Sequence, residues 1–238
     1  MSEFSDGLLA DVQATVSNSW DSRDGQVVPK SEEVGLGNDR VVLEAVLLYA
    51  DLADSTELAV ADQEIASEVF KTYLAGVTKI IRANGGHIRS FDGDRVMGVF
   101  VGKVKATPAV KSGLQINSFF RNVLTSGFKE FYGDRVGKVN FDQTVGIDKS
   151  HVHVARAGIR RNNDLIWVGR APNIAAKLSS IRHTTYKTFI TPDVYKLLSE
   201  SGKIGQPSGN NMWTLLNWST GDRFGVPQVY GSGWTWTL

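Results

Sequence analysis

The feature that most constrains the fold is the segment Val41–Tyr49, VVLEAVLLY, which is apolar except for one glutamate. Its length is that of a strand, and it is rich in β-branched residues and leucine. Turn-prone residues from Gly35 to Asp39 precede it. A continuous apolar run of this length is typical of a central strand buried on both faces. The segment therefore predicts the middle of a β-sheet, and Asp51 follows it just past the strand end.

The rest of the chain alternates between helical and strand patterns. After the capping pair Ser55-Thr56, apolar residues recur about once per helical turn, and Asn84-Gly85-Gly86 ends this helix. Two apolar segments, His87–Phe91 and Val96–Val101, flank Asp92-Gly93-Asp94, a strong hairpin signal. The later pattern predicts helices over Thr107–Thr125, Pro172–Ser179 and Pro192–Leu198, and strands over Val139–Ile147, Val152–Ile159, Ile166–Val168 and Lys187–Ile190.

The order strand, helix, strand, strand, helix, strand is the ferredoxin-like βαββαβ pattern, so the predicted fold class is α+β with extra C-terminal elements. Residues 1–40 are polar and rich in Ser, Asp and Gly, which predicts an N-terminal arm with a short helix near Leu8–Val16. Residues 41–238 are predicted to form one domain, with irregular structure and late strands from Gly202 onward.

The composition excludes several classes of protein. The chain has 238 residues, no cysteine and a net charge of +1. The absence of cysteine excludes disulfides and thiolate metal sites, and the near-zero charge argues against a nucleic-acid partner. No apolar run approaches the roughly 20 residues of a membrane span, and the N-terminus lacks a secretion signal. We therefore expect a cytoplasmic protein that binds neither nucleic acid nor membrane.

Two aspartates are the strongest candidates for a functional site. Asp51 follows the first strand and Asp94 lies in the predicted hairpin turn, and these elements are neighbours in a βαββαβ sheet. Divalent cations prefer such hard oxygen ligands, and Gly93 would let the backbone approach a triphosphate. The alternative is that both aspartates are turn residues; for Asp94 alone the two interpretations have about equal weight. Asp51 favours function more strongly, because a buried charge is costly unless it is paired or metal-bound.

At these residues the chain resembles the class III nucleotidyl cyclases. Tyr49-Ala50-Asp51 matches the family's first metal motif, and Gly93-Asp94 followed by an apolar strand matches the second. Val145–Asp148 resembles the family's Gly-Ile strand. Gly169–Lys177 matches the helical motif of Gly, Asn and Arg, except that lysine replaces the arginine. The motifs occur in the family's order between Val42 and Tyr195.

The resemblance implies a head-to-tail homodimer with shared active sites and a nucleoside triphosphate substrate. Two divalent cations, Mg²⁺ or Mn²⁺, would bind at Asp51, Leu52 and Asp94 of one subunit. The partner subunit would supply two groups from one helix face.

Of these two groups, Asn173 would orient the ribose, and Lys177 would steady the charge on the α-phosphate. Taken singly, each is more often an ordinary polar residue of a solvated helix. Arg170 is a possible substitute for the missing arginine, and Arg223 in the tail is a candidate cation for the triphosphate.

The same resemblance points to three base-binding positions: Ser90, Ile166 and Tyr49. Ser90 lies four residues before Asp94, where adenylate cyclases carry lysine and guanylate cyclases glutamate. Ile166 lies seven residues before Asn173, where adenylate cyclases usually carry aspartate or threonine. Neither serine nor isoleucine supplies the partner that a purine base has in those cyclases. The Tyr49 hydroxyl can hydrogen-bond a base edge, unless Tyr49 is simply a core aromatic.

This pattern resembles the pyrimidine cyclases of the Pycsar bacterial anti-phage system, whose product activates a separate effector. We therefore favour UTP as substrate and cyclic UMP as product, although the residues leave uracil and cytosine undecided. The alternatives are a cytidylate or adenylate cyclase and a non-catalytic dimeric module that binds nucleotide. A palm-type polymerase or diguanylate cyclase is disfavoured, because the chain lacks a Gly-Gly-Glu-Glu-Phe-like hairpin and a basic surface.

Overall fold

The computed structural model describes residues 2–133, 135 and 141–238. In chain order, its strands are β1 (Asp21–Asp24), β2 (Asp39–Ala53), β3 (His87–Asp92), β4 (Arg95–Phe100), β5 (Asp142–Ile159), β6 (Asn162–Gly169), β7 (Thr188–Ile190), β8 (Ile204–Gly205), β9 (Asn210–Asn211), β10 (Thr214–Asn217) and β11 (Gln228–Ser232). Its α-helices are α1 (Glu3–Ser17), α2 (Ser55–Ala61), α3 (Gln63–Ala83), α4 (Ala106–Phe119), α5 (Thr125–Tyr132), α6 (Arg170–Ser179), α7 (Pro192–Lys196) and α8 (Glu200–Lys203).

The centre of the sheet has the predicted topology. Strands β5, β2, β4 and β3 lie side by side in that order, and each pair is antiparallel. Helices α3 and α4 make the two crossovers, so the ferredoxin-like βαββαβ fold is confirmed. Strand β7 continues the sheet parallel to β5, and β11 and β10 follow it, which accounts for the late strands of the tail.

Strand β2 is buried on both faces, as its apolar run predicts. Side chains such as Val46 and Leu48 pack on one face against α3 and α4. Side chains such as Leu43 and Leu47 pack on the other face, with β6 and α6. Because side chains alternate along a strand, even-numbered residues of β2 face one core and odd-numbered residues the other.

Helix α6 packs directly on β5 at Gly146. A Cβ atom at this position would lie 2.1 Å from the carbonyl oxygen of Ala175 and 2.5 Å from the amide nitrogen of Ser179. Neither backbone atom can move away without moving the helix. The missing side chain therefore sets how closely α6 approaches the sheet.

Two strand predictions need correction. Strand β2 runs to Ala53, so Asp51 lies inside the strand and pairs with Thr144. The two strands predicted over 139–159 form one strand, β5, which begins at Asp142; residues 139 and 140 lie outside the described residues. The polar segment around Asp148 suggested a break, but it pairs with β2 at Leu47.

The N-terminal arm is more ordered than its composition indicates. Helix α1 is longer than the predicted helix, and it carries no buried residue. Strand β1 pairs in parallel with the start of β2, so the arm joins the sheet. The sequence gives no strand signal there because Asp21–Asp24 is polar and each of its residues is exposed. Among the described residues, no helix is long and apolar enough to cross a membrane.

The predicted helices are present, with different boundaries. The first is divided at Asp62, whose carboxylate accepts a hydrogen bond from the amide of Ile65, 3.1 Å away, and thereby caps α3. The capping residue is thus Asp62 rather than Ser55 or Thr56. Helix α4 continues through a π-helical turn at Phe120–Leu124 into α5, so the second helix runs past its predicted end to Tyr132.

Candidate active site

Asp51 is a buried carboxylate held by two arginines. Only 5% of the residue is exposed. The Nε and Nη2 atoms of Arg95 donate to its two oxygens at 3.2 and 3.3 Å. Arg182, just after α6, approaches to 3.7 Å. This pairing explains how an acidic residue is tolerated inside a central strand.

Burial raises the pKa of Asp51 above its ordinary value, and the neighbouring Asp94 adds to this effect. The hydrogen bonds and charge of Arg95, with the charge of Arg182, act in the opposite direction. Burial is the largest of these influences. The two arginines therefore do not fully offset the effect of burial on the pKa of this carboxylate.

Asp94 lies in the β3–β4 turn, as predicted. Gly93 before it has a φ of 60°, the left-handed conformation that glycine adopts without strain. Asp94 lies just beyond the last ladder pair of β2 and β4, Ala50 with Val96, which brings it near Asp51. Its Oδ2 atom is buried and has no hydrogen-bond partner among the described residues. An unpartnered buried carboxylate oxygen next to a second carboxylate fits a divalent cation.

Leu52 offers only its main chain to such a site. Its side chain is 2% exposed and belongs to the core beneath α3 and α4. Within the described ranges, no cluster of three or more His, Cys, Asp or Glu side chains could hold a metal ion. The candidate metal site therefore consists of two carboxylates and a main-chain oxygen, which leaves coordination positions for phosphate.

Two of the three base-binding candidates lie in one row across the sheet. Met97 of β4 pairs with Tyr49 of β2 on one side and with Ser90 of β3 on the other. Paired residues point to the same face, so the three side chains form a continuous patch. The Tyr49 hydroxyl donates to the Met97 sulfur at 3.2 Å, and burial raises the pKa of Tyr49.

Ile166 is not brought to this row within one chain. On β6, Leu165 and Trp167 pack against the core that also contains Tyr49. Ile166 alternates with them, so it points to the opposite side, where it is 45% exposed, beside Val168 at 54%. The structure thus separates Ile166 from Ser90 and Tyr49 and leaves an apolar patch on the outer face of β6.

Asn173 and Lys177 line a groove of about 660 Å³ beside α6, together with Arg95, Trp218 and Arg223. The Asn173 amide donates to the Gly169 carbonyl at 3.0 Å. The Lys177 ammonium lies 5.0 Å from the Phe224 ring centroid. The four-residue spacing of Asn173 and Lys177 puts both side chains on one helix face, toward this groove.

Arg170, the predicted substitute for the missing arginine, is bound to two aspartates of its own chain. Its guanidinium donates to both oxygens of Asp148 at 3.1 Å, to Asp193 at 2.8 Å and to the Lys149 carbonyl at 3.0 Å. Asp148 is fully buried and also accepts from the Thr191 hydroxyl at 2.6 Å. Arg170 therefore neutralises a buried carboxylate, and we assign it a structural role instead of the predicted catalytic one.

Sequence reasoning missed the two arginines on Asp51. Arg95 carried a signal, because it lies two residues before Met97 and therefore on the same face of β4 as the Tyr49 row. Arg182 follows the end of α6, where only the packing of that helix places it near Asp51. No sequence pattern indicates that proximity.

Comparison with known proteins finds relatives that match nearly the whole chain. The chain is 36% identical to the uridylate cyclase of Rhodovulum sp. (strain MB263) over 218 residues, 90% of each chain. It is 36% identical to the uridylate cyclase of Burkholderia cepacia over 239 residues, 99% of each chain. No protein-family model matches the chain.

Solved structures share the fold. The adenylyl cyclase CyaB from P. aeruginosa matches with a TM-score of 0.65 and 22% identity, over 81% of this chain and 95% of that chain. A non-canonical dimeric guanylyl cyclase domain of the RhoGC fusion protein from Blastocladiella emersonii matches with a TM-score of 0.60 and 15% identity, over 80% of this chain and 97% of that chain.

The chain therefore belongs to the class III nucleotidyl cyclases, and the resemblance inferred from its motifs is confirmed. It is an enzyme of that class. Within the class, two uridylate cyclases match it over 90% and 99% of its length.

Proposed function

We propose that this enzyme converts UTP to 3′,5′-cyclic UMP and pyrophosphate. The observation that carries the choice of base is the row Ser90, Met97 and Tyr49. This row offers two hydroxyls and a thioether where purine cyclases present lysine or glutamate, so a purine loses a charged partner. The two relatives named uridylate cyclase support the same choice.

Asp51, Asp94 and the main-chain oxygen of Leu52 would hold two divalent cations, Mg²⁺ or Mn²⁺. The buried, unpartnered Oδ2 of Asp94 and the buried carboxylate of Asp51 support this assignment. When bound, the cations would supply positive charge to the triphosphate and to the attacking oxygen. The aspartates' own task is to fix the position of that charge from strand β2 and the adjacent hairpin turn.

The reaction is an in-line displacement at the α-phosphorus. The ribose 3′-oxygen forms a bond to this phosphorus while the bond to the bridging oxygen of pyrophosphate breaks, and the 3′-hydroxyl proton passes to solvent. Asn173 would hold the ribose so that the 3′-oxygen faces the phosphorus. Lys177 would stabilise the negative charge that grows on the α-phosphate oxygens, as a point charge without the fork of an arginine.

We further propose that these groups act across a homodimer. The exposed apolar side chains of Ile166 and Val168 on the outer face of β6 support an interface there. A guanylyl cyclase domain that shares the fold forms a non-canonical dimer, which supports dimer formation but no particular arrangement of the subunits. In the cytoplasm, cyclic UMP would then activate a separate effector in anti-phage signalling, as the family resemblance implies.

A four-nucleotide assay tests the proposal. The purified protein is incubated separately with UTP, CTP, ATP and GTP in the presence of Mn²⁺, and products are identified by chromatography and mass spectrometry. We expect cyclic UMP to form fastest, with CTP as the main competing substrate. Faster formation of cyclic AMP at equal substrate concentration would contradict the base assignment without affecting the class of enzyme.

A further inference from the structure

Arg95 occupies the Asp51 carboxylate, which the proposed divalent cation would need as a ligand. Its guanidinium donates to both oxygens of Asp51 at 3.2 and 3.3 Å. We propose that Arg95 is a latch: it must leave Asp51 before a divalent cation binds there, and it then binds the phosphates of the nucleotide that this cation holds. Metal and triphosphate would therefore bind cooperatively. The triphosphate half of this inference rests on the proposed function, whereas the metal half does not.

The geometry at Asp51 requires this displacement. Only 5% of the residue is exposed, and Arg95 occupies both carboxylate oxygens. A divalent cation on either oxygen would lie against a guanidinium, which is also positively charged. Binding therefore includes the cost of breaking two charge-assisted hydrogen bonds.

The groove beside α6 offers space for the displaced Arg95 side chain. Arg95 lines the groove that contains Asn173, Lys177 and Arg223, and its side chain is 29% exposed. The groove gives the displaced guanidinium room beside Asp51, from which it can bind the phosphates of a nucleotide held there, whereas Asn173 and Lys177 of the same chain would serve the partner's site in the proposed homodimer. Among the described residues, Arg95 is the one that both lines this groove and hydrogen-bonds Asp51.

Arg182 is not an equivalent latch. Its Nη2 atom lies 3.7 Å from Asp51, beyond hydrogen-bond distance. Its Nη1 atom donates to the Ser179 carbonyl at 3.1 Å, which anchors the guanidinium at the end of α6. Arg182 can therefore remain in place while Arg95 moves.

Mn²⁺ alone is the probe for the metal half. Metal-free protein is titrated with Mn²⁺ at pH 8, and free Mn²⁺ is measured by its EPR signal. R95Q is expected to bind Mn²⁺ at least about tenfold more tightly than the wild type, because the competing hydrogen bonds are gone. The matched control is R223Q, which removes the same charge from the same groove without touching Asp51, and it should change Mn²⁺ affinity by at most about twofold.

The metal half is overturned if R95Q binds Mn²⁺ less than about fivefold more tightly than R223Q does. Failure of R95Q to bind Mn²⁺ overturns it as well. Should R95Q not fold, R95K replaces it, since lysine keeps the positive charge but cannot make the bidentate contact with Asp51. R95K is then expected to bind Mn²⁺ at least about threefold more tightly than the wild type, and an unchanged affinity overturns the proposal.

The triphosphate half is tested with 3′-deoxy-UTP, which carries the triphosphate and cannot be cyclised. This nucleotide should tighten Mn²⁺ binding to the wild type at least about tenfold, after correction for the complex that forms without protein. In R95Q, 3′-deoxy-UTP should leave the affinity for Mn²⁺ nearly unchanged. If the nucleotide tightens Mn²⁺ binding to R95Q as much as to the wild type, Arg95 does not couple the two ligands. A positive Mn²⁺ result with R95Q, together with no cyclisation of any nucleotide, would reject the proposed function and keep the latch.

Discussion

The hydroxyl of Tyr49 donates a hydrogen bond to the sulfur of Met97, 3.2 Å away on the neighbouring strand. A thioether is a weak acceptor. The hydroxyl can therefore exchange this partner for the oxygen or nitrogen of a base at little cost. On this face of the sheet, Tyr49 is held ready as a donor by packing rather than by a strong bond.

Replacing Tyr49 by phenylalanine should weaken base selection without unfolding the protein. The loss of one hydrogen bond, about 0.5–1.5 kcal/mol, should reduce the preference for UTP over ATP by up to about tenfold. Competition assays with both nucleotides measure this ratio. Tyr195→Phe is the control, since that hydroxyl accepts from Asn211 in the C-terminal region. An unchanged ratio in Tyr49→Phe would show that this hydroxyl does not contact the base.

Asp51→Asn should lower turnover by at least about a hundredfold, because the lost anion weakens metal binding directly. Asparagine has the same shape, so circular dichroism and gel filtration should still report a folded protein. Asp54→Asn is the matched control: Asp54 is exposed and left-handed, a conformation asparagine tolerates, and its loss should leave turnover largely intact. Normal turnover in Asp51→Asn would exclude Asp51 as a metal ligand.

Mixing two inactive variants tests whether the sites are shared. Asp51→Asn removes the metal side of a site, and Asn173→Ala removes the ribose side. In a mixed dimer with shared sites, one site carries both defects and the other carries neither, so about a quarter of wild-type activity should return after random exchange. Activity is measured after subunit exchange has been verified with differently tagged chains. An inactive mixture would then place Asn173 in the same subunit's site.

Arg170→Gln should destabilise the protein and spare its chemistry. Removing this guanidinium leaves Asp148 buried and unpaired, at a cost of about 3–5 kcal/mol in the free energy of unfolding. Urea denaturation measures the loss, and the double variant with Asp148→Asn should recover part of it. At temperatures where Arg170→Gln stays folded, kcat should remain near that of the wild type; a large fall in kcat would restore Arg170 as a catalytic candidate.

Glu44 should contribute stability that depends on pH. Its carboxylate lies 2.9 Å from the Lys105 ammonium and 3.0 Å from that of Lys149. Hydrogen bonds from Lys105 and then Lys149 lower the pKa of Glu44 from its ordinary value of 4.5 to about 2. Because the folded pKa is depressed, this stability is present above pH 4.5 and is lost as pH falls toward 2.

Glu44→Gln tests this expectation. The variant should be less stable than the wild type at pH 7 by about 1 kcal/mol, since solvent screens this half-exposed cluster. Urea unfolding at pH 7, 4 and 2.5 should show the difference shrinking as the carboxylate is protonated. A constant difference across that range would mean that Glu44 acts through packing rather than charge.

The sequence was sufficient for the parts of the fold that depend on local pattern. The run Val41–Tyr49 and the Asp-Gly turn before Asp94 specify a central strand and its neighbouring hairpin, and the structure contains both. Strand β1 could not be predicted, because it is polar and its only support is pairing with β2. The continuity of β5 through Asp148 depends on Arg170 and Thr191, which are distant in sequence.

The candidate site divides in the same way. Asp51 and Asp94 follow from motif and topology, because a strand and an adjacent hairpin bring them together. The arginines on Asp51 do not follow, since a motif fixes neither the direction of the Arg95 side chain nor the position of Arg182 after α6. Nor does a spacing of seven residues from Asn173 show that Ile166 points away from Tyr49; the alternation of burial along β6 does.

Gly146 sets the distance between helix α6 and strand β5. Because α6 packs directly on the backbone of Gly146, any side chain at this position would push the strand and the helix apart. The helix carries Asn173 and Lys177, so its height above the sheet sets how far these groups reach from the strand that holds Asp51. A single methyl group at residue 146 would lift that helix and change the depth of the groove beside it without altering any residue that contacts substrate.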